Sequence, residues 1–168
     1  LGVSLSPSNV EGLQPSHQAA KFGRGGVLQW LKDSGHGAQL SAPDLFGFTP
    51  MHCACINGLT ETIRLLHGLT GEAGLYEESH EGWSCAHLLA RHGHADSLPL
   101  IEELGAGWTL EAPAENGMTP CARAAETGQV GPLLFLAARG RVRFRSEECV
   151  DGATPGHVAA KHGHEGFV

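Results

Sequence analysis

Gly47-Phe48-Thr49-Pro50-Met51-His52-Cys53-Ala54-Cys55 has the pattern of a turn followed by the start of a helix. Thr49 is a good N-cap, and Pro50 at the first helical position loses only an N–H that has no partner inside the helix. The small pair Ala54-Cys55 lets neighbouring helices approach closely. Thr119-Pro120 and Thr154-Pro155 repeat the same helix start further along the chain. The segment is therefore a unit that the sequence uses more than once.

Three tracks of residues share a period of 35 residues. The first glycine track consists of Gly12, Gly47, Gly82, Gly117 and Gly152, the second of Gly23, Gly58, Gly93, Gly128 and Gly163, and the leucine track of Leu5, Leu40, Leu75 and Leu110. Repetition at intervals of about 20 to 50 residues is typical of a solenoid, in which each unit buries its apolar face against its neighbours. The period predicts a stack of equivalent units without a single central core.

Each unit is predicted to contain two helices. A glycine just past the first helix can adopt the left-handed conformation that reverses the chain. The following segment carries apolar residues at helical spacing, as in Val27, Leu28 and Leu31, which indicates a second helix with one buried face. Pro132 falls in the first turn of its helix, whereas Pro99 lies further in and is expected to shorten or kink its helix.

These positions resemble the ankyrin repeat, whose motif is Gly-x-Thr-Pro-Leu-His-x-Ala-Ala followed by Gly-His. The closest matches are Gly152 to Ala160 with Gly163-His164, and Gly47 to Cys55 with Gly58. The departures are Gln14-Pro15, Ser84-Cys85, Ala122 in place of the motif histidine, and a period longer than the usual value of about 33 residues. The extra residues fall before the tracked leucine and are expected to lengthen the second helix or its loop. The resemblance implies an all-α, ankyrin-type solenoid of stacked helix-turn-helix repeats joined by β-hairpin loops.

The register indicates that residues 1–168 are one fragment of a repeat array. Residues 1–8 form the tail of a preceding repeat, and 149–168 form an incomplete fifth repeat. The four predicted complete repeats are 9–43, 44–78, 79–113 and 114–148. Because terminal repeats normally carry a polar outer face, we expect this array to be a piece of a longer one.

Composition narrows the class of partner. The chain is 41% hydrophobic and 17% charged, with a net charge of −7, which disfavours nucleic acid as a partner because phosphate binding depends on clustered Lys and Arg. No apolar run approaches the roughly 18 residues that a membrane span needs. Five cysteines without a disulfide framework indicate a reducing, cytoplasmic compartment. We expect a monomeric array without a cofactor, whose partner is a protein.

Histidines and cysteines are the candidates for metal binding or catalysis. His17, His52, His87 and His157 occupy the motif position, which the resemblance implies is structural, and His94 and His164 occupy the Gly-His position. Equivalent residues of stacked helices stand about 8–10 Å apart, whereas zinc ligands lie about 2.1 Å from the metal. We therefore expect structural histidines and no metal site. The cysteines are interpreted as small buried thiols, and no catalytic motif is present.

The residue after each first-track glycine is the candidate for partner binding. The resemblance implies that this position is exposed beside the groove, and it holds Leu13, Phe48, Trp83, Met118 and Ala153. A stripe of large apolar side chains is typical of an interface core. The expected rim consists of Leu45, Phe46, His80, Glu81, Glu115 and Asn116. The alternative is that the longer repeat folds its loop over the stripe.

A basic cluster, Arg139, Arg141, Arg143 and Arg145, is either a solvated loop or a site for an acidic partner. Phe144 is expected to replace the tracked leucine in packing. Overall the sequence favours a non-catalytic scaffold that binds a protein on its concave face and hairpin tips. Two alternatives remain: a regulatory or substrate-recruiting segment of a larger enzyme or channel, and a metal-binding array.

Overall fold

A computed structural model describes residues 8–138 and 154–165. The predictions for Leu5, Gly152, Ala153, Phe144 and the Arg139 to Arg145 cluster lie outside these ranges, as do both ends of the array. Within them the regular structure is entirely helical. The predicted all-α class is confirmed.

Five first helices, one from each predicted repeat, start the helix pairs. Each has seven residues, and the first helices of neighbouring repeats pack against each other. They are α1 (Pro15–Lys21), α3 (Pro50–Ile56), α6 (Cys85–Arg91), α8 (Pro120–Glu126) and α10 (Pro155–Lys161). Four of them begin at proline, as the motif predicts, because its missing N–H has no intrahelical partner there.

The second helices pack against the first helices of their own repeats and vary in length. They are α2 (Gly25–Leu31), α4 (Thr60–Thr70), α7 (Leu98–Glu103) and α9 (Val130–Ala138). A 3-10 turn at Ala95–Ser97 precedes α7, and Pro99 lies in the first turn of this six-residue helix, whereas α4 has eleven residues. The prediction that Pro99 lies further inside its helix is therefore wrong: it falls in the first turn of α7, where its missing N–H has no intrahelical partner and causes no kink.

A third, short helical segment follows three of the second helices and carries the tracked leucine. These segments are a π-helical turn at Lys32–His36 continuing into a 3-10 turn at Gly37–Leu40, helix α5 (Ala73–Tyr76), and a 3-10 turn at Gly107–Leu110. Leu40, Leu75 and Leu110 are all buried. The segment before the tracked leucine, which was expected to be a longer second helix or loop, therefore contains separate short helical turns.

The loops that join the repeats are tight turns, which we call the hairpin loops (9–13, 44–48, 79–83 and 114–118). In the second loop the Asp44 amide donates to the Phe48 carbonyl at 2.9 Å, and the other three loops have the equivalent bond. Neighbouring loops share one backbone bond, such as that from the His80 amide to the Phe46 carbonyl at 3.0 Å. One bond per pair is too few for a ladder. The predicted β-hairpins are therefore turns, and no strand forms among the residues that the structure describes.

Close contact between these loops explains the first glycine track. Gly47 and Gly82 have φ values of +83° and +75°, in a region that side chains other than glycine rarely adopt. A Cβ on Gly47 would lie 2.7 Å from the His80 nitrogen, and one on Gly82 would lie 2.6 Å from the Glu115 nitrogen. Glycine is needed because each loop presses against the backbone of the next.

Candidate functional site

The motif histidines connect neighbouring repeats. His52 is buried, its Nδ1 accepts the Thr49 amide at 3.0 Å, and its Nε2 donates to the Glu77 carbonyl at 3.1 Å. His17 donates in the same way to Phe48 at 3.0 Å, and His87 to Met118 at 2.9 Å. In a capping box, the side chain at the third helical position accepts a hydrogen bond from the backbone N–H of the N-cap residue, and here the Nδ1 atom is that acceptor. Because both ring nitrogens are occupied, the prediction of a structural role is confirmed for these three histidines.

Burial determines the protonation state of these rings. It lowers the pKa of His52 and of His87 from 6.5 to about 4 in the folded protein, because a charged imidazolium is poorly solvated between packed helices. Burial also lowers the pKa of His17. The three rings are therefore neutral at pH 7, with the proton on Nε2.

The Gly-His positions serve a second set of contacts between repeats. The Nε2 atom of His94 donates to the Ile56 carbonyl at 2.9 Å, and that of His164 donates to the Glu126 carbonyl at 2.9 Å. These carbonyls lie at the ends of first helices, where intrahelical donors are lacking. Within residues 8–138 and 154–165, no group of three His, Cys, Asp or Glu side chains is arranged to hold a metal ion.

The cysteines lie between helices. Cys55 and Cys85 are fully buried, and Cys53 is half-buried. Burial raises the pKa of the Cys53 thiol to about 11, and burial together with a hydrogen bond to Cys85 raises that of Cys55. A thiolate nucleophile needs the opposite shift. These thiols are therefore packing groups.

The four described stripe residues, Leu13, Phe48, Trp83 and Met118, are half-buried, which corrects the expected exposure. Phe48 and Trp83 pack against the main core, and Met118 packs against a cluster that includes Val158. The ring of Phe48 meets His52 edge-on, with centroids 5.7 Å apart. The reason is that each side chain lies against a first helix, so only part of it reaches solvent.

Two arginines lie against the ring of Trp83. The guanidinium carbons of Arg91 and Arg123 lie over its ring, 5.0 and 4.3 Å from the centroid, within cation–π range. The Nη1 atoms of both arginines reach the same Glu126 oxygen, at 3.5 Å from Arg91 and 2.9 Å from Arg123. We call Trp83, Arg91, Arg123 and Glu126 the arginine–tryptophan cluster.

Sequence reasoning missed this cluster. Arg123 is only 4% exposed, although it occupies the variable position of the motif between Ala122 and Ala124. The available signal was the arginine itself, placed next to two alanines on a buried helix face. A buried arginine at such a position requires a partner, and the partners lie in both repeats.

The predicted rim residues lie at the surface. Leu45 and Phe46 are 64% and 60% exposed. His80, Glu81, Glu115 and Asn116 are also exposed. Two large apolar side chains at the tip of one loop form a small patch of the kind that marks contact surfaces.

Two clefts bring some of the predicted residues together. A cleft of about 290 Å³, which we call the loop cleft, lies between the second and third hairpin loops and is lined by Phe46, Phe48, Ser79, His80, Glu81 and Trp83. A cleft of about 130 Å³ is lined by Leu13, His17, Gln18, Lys21, Cys53, Ile56 and Asn57. The structure therefore groups five predicted residues in the loop cleft and places Leu13 against the first helices. Leu45, Glu115, Asn116 and Met118 lie outside both.

In the part of the chain that the structure describes, no helix has the length and apolar character needed to cross a membrane.

Comparison with known proteins gives a family and several relatives. The family model for ankyrin repeats in three copies matches residues 16–110. The human transient receptor potential cation channel subfamily A member 1 is 30% identical over 100 residues, which cover 59% of this chain and 9% of the channel. The probable protein S-acyltransferase 23 of Arabidopsis thaliana is 27% identical over 138 residues, which cover 82% of this chain and 25% of that protein.

A third relative is the probable 26S proteasome regulatory subunit p28 of Saccharomyces cerevisiae, 24% identical over 161 residues, which cover 95% of this chain and 69% of the subunit. The chain thus spans a quarter or less of the channel and the acyltransferase. The matched segment is more than half of the chain, and the helix pairs and motif histidines have the form that the motif predicts, so the chain belongs to the ankyrin-repeat family.

Proposed function

We propose that the chain is a non-catalytic protein-binding scaffold whose partner contacts the hairpin loops and the groove beside the first helices, on the concave face of the array. The observation that carries the proposal is the loop cleft, which Phe46, Phe48 and Trp83 line with aromatic surface. Aromatic side chains in a concave site supply much of the binding energy at protein interfaces. The polar side chains of Glu81 and His80 also line the cleft and supply a polar rim.

The remaining features support binding over catalysis. The described thiols have raised pKa values or are buried, and the motif histidines use both nitrogens in structural bonds. A histidine that acts as a general base needs an available ring nitrogen, and a cysteine nucleophile needs a thiolate. We infer that any catalytic activity associated with this chain belongs to a different domain.

A second candidate follows from the relatives. The chain covers 9% of a cation channel and 25% of a probable acyltransferase, so in both proteins the matched repeats are one part of a larger molecule. We propose as the alternative that this array regulates, or recruits substrate for, an activity outside residues 1–168. A partner bound at the loop cleft is compatible with both candidates.

Site-specific photocrosslinking tests the scaffold function. A photoreactive phenylalanine analogue is placed at position 46 in the loop cleft or, as a matched control, at position 134 in α9, where Leu134 is 63% exposed. We expect a discrete covalent adduct in cells from position 46 and none from position 134. Equal labelling at both positions, or labelling only at 134, would contradict the proposed surface.

We further propose that the array works as a monomer in the reducing cytoplasm. The described cysteines, Cys53, Cys55, Cys85 and Cys121, are thiols that form no disulfide with one another, and thiols remain reduced where glutathione is present. Sedimentation of the purified chain and fractionation of cells test this proposal. A stable dimer or a secreted, disulfide-linked form would refute it.

A further inference from the structure

Charge is segregated within the candidate groove. The five first helices carry four basic side chains, Lys21, Arg91, Arg123 and Lys161, and one acidic side chain, Glu126. The four hairpin loops carry four acidic side chains, Glu11, Asp44, Glu81 and Glu115, and no Lys or Arg. In a chain with a net charge of −7, the first helices therefore carry a net positive charge beside acidic loops.

The arginine–tryptophan cluster lies where these two surfaces meet. It contains two guanidinium groups and one carboxylate, so it keeps an excess positive charge after Glu126 pairs with both arginines. Arg123 is buried, while the side chain of Arg91 is 35% exposed. A group that approaches from solvent meets Arg91 first.

Two donors in the cluster have no acceptor. Trp83 Nε1 and Arg123 Nε are buried, and neither has a hydrogen-bond partner among the described residues. Buried polar groups in folded proteins are almost always hydrogen-bonded, and those that are not require an explanation such as a bound molecule. These unsatisfied donors leave the cluster able to stabilise additional negative charge beside Arg91.

The cluster already binds one carboxylate, that of Glu126. Arg91 and Arg123 converge on one oxygen of a carboxylate, Glu126 Oε2, and charge-assisted bonds from guanidinium to carboxylate are among the stronger hydrogen bonds in proteins. Trp83 belongs both to this cluster and to the loop cleft. The cluster and the aromatic cleft therefore share the Trp83 side chain.

We propose that the groove binds a peptide segment of a partner protein in which an aspartate or glutamate stands next to a bulky apolar residue. The carboxylate pairs with Arg91, the more exposed arginine of the cluster, while the apolar side chain enters the loop cleft between Phe46 and Trp83. The acidic loops disfavour a second acidic residue at the cleft side, so the charge must lie on the side of the first helices. This inference deepens the proposed scaffold function and depends on it.

A displayed library of random 12-residue peptides is the probe. Panning against the purified chain is expected to enrich peptides that carry Asp or Glu within two residues of an aromatic or long aliphatic residue, with Lys and Arg depleted at the acidic position. Enrichment of neutral or basic peptides at the same cleft would overturn the inference while leaving the scaffold function in place. Failure to enrich any peptide whose binding depends on Phe46 would count against the scaffold function itself.

One enriched peptide and its Asp→Asn or Glu→Gln form are then measured by fluorescence anisotropy against three proteins. The test variant is Arg91→Gln, and the matched control is Arg64→Gln. Arg64 is an exposed arginine of α4 that pairs with Glu103 at 2.6 Å, and neither residue lines the loop cleft. We expect neutralising the peptide, or Arg91→Gln, to weaken binding about tenfold, and Arg64→Gln to leave it unchanged.

The double comparison separates direct contact from a structural effect. If the carboxylate meets Arg91, neutralising the peptide costs little more affinity once Arg91 is glutamine, because the two changes remove the same interaction. Equal losses from peptide neutralisation in the wild type and in Arg91→Gln would exclude the assignment. Circular dichroism of each variant confirms that the fold is intact.

Discussion

Arg123 of one repeat places its guanidinium carbon 4.3 Å from the ring centroid of Trp83 in the preceding repeat. Arg123 occupies a variable position of the repeat motif, and Trp83 follows the loop glycine Gly82. The contact therefore connects these two positions across neighbouring repeats. It explains why Trp83 is only half exposed, and it couples the candidate groove to the packing between repeats.

Replacing Arg123 with alanine is expected to lower the free energy of unfolding by about 2 kcal/mol, because the contact with Trp83 and the bond to Glu126 are lost from a buried position. Urea unfolding followed by circular dichroism measures the change. Arg64→Ala is the control, since an exposed ion pair contributes about 0–1 kcal/mol. Equal losses in the two variants would show that the buried arginine contributes no more than a surface one.

Acid is expected to destabilise the array between pH 6.5 and pH 4. In this window the unfolded chain protonates His52 and His87, whereas their folded pKa of about 4 keeps them neutral. Their contribution is therefore complete above pH 6.5 and is lost as the pH falls, by about 3 kcal/mol for each histidine. Urea unfolding at several pH values measures the loss.

The variant His52→Gln isolates this effect. It is expected to be less stable than the wild type at pH 7.5, because the bond to Glu77 is changed, but to lose less stability on acidification. Burial raises the pKa of the Glu77 carboxyl, so protonation of Glu77 stabilises the folded protein as the pH falls. Both proteins contain Glu77, and the difference between their pH profiles therefore reports on His52. Parallel pH profiles for the two proteins would refute the role assigned to His52.

Gly82→Ala is expected to cost about 2 kcal/mol or more, because alanine is strained at positive φ. The Cβ would also meet the Glu115 nitrogen at 2.6 Å. Gly68→Ala is the matched control: Gly68 lies within α4, and a Cβ there has no atom within 4 Å. The control is expected to gain about 0.5–1 kcal/mol from better helix propensity. The urea midpoints of the two variants measure these changes. An unchanged midpoint for Gly82→Ala would contradict the close approach of the loops.

Alkylation is expected to be slow at the described thiols. Since the pKa of Cys53 is raised to about 11, iodoacetamide at pH 8 meets little thiolate there, and Cys55, Cys85 and Cys121 are buried. Peptide mapping after brief treatment, with and without urea, is expected to show labelling of these four residues only in urea. Rapid labelling of Cys53 in the folded protein would show that the groove beside it opens.

Much of the fold could be predicted because the signals are local. Pro50, Pro120 and Pro155 begin helices as predicted, since a helix start depends on residues within one turn. The place of Pro99 was predicted wrongly, because the start of α7 at Leu98 carries no local signal of this kind. The number of backbone bonds between loops is not local, so the sequence could not show that the hairpins remain turns.

The candidate site was only partly predictable. The exposure of Leu45 and Phe46 follows from their place at a loop tip, whereas the half-burial of Phe48 and Trp83 depends on the helices that cover them. Arg123 comes from 40 positions beyond Trp83 in the chain, and no local pattern connects them.

By itself the sequence determined the repeat, its period and most of the helix starts, because each depends on a few neighbouring residues and on their recurrence, and the family resemblance added the structural role of the motif histidines. Only the tertiary structure decided which stripe residues share a cleft and which cations cover Trp83. Those properties depend on how far one repeat is shifted and rotated against the next, and that geometry is set by packing across the whole stack.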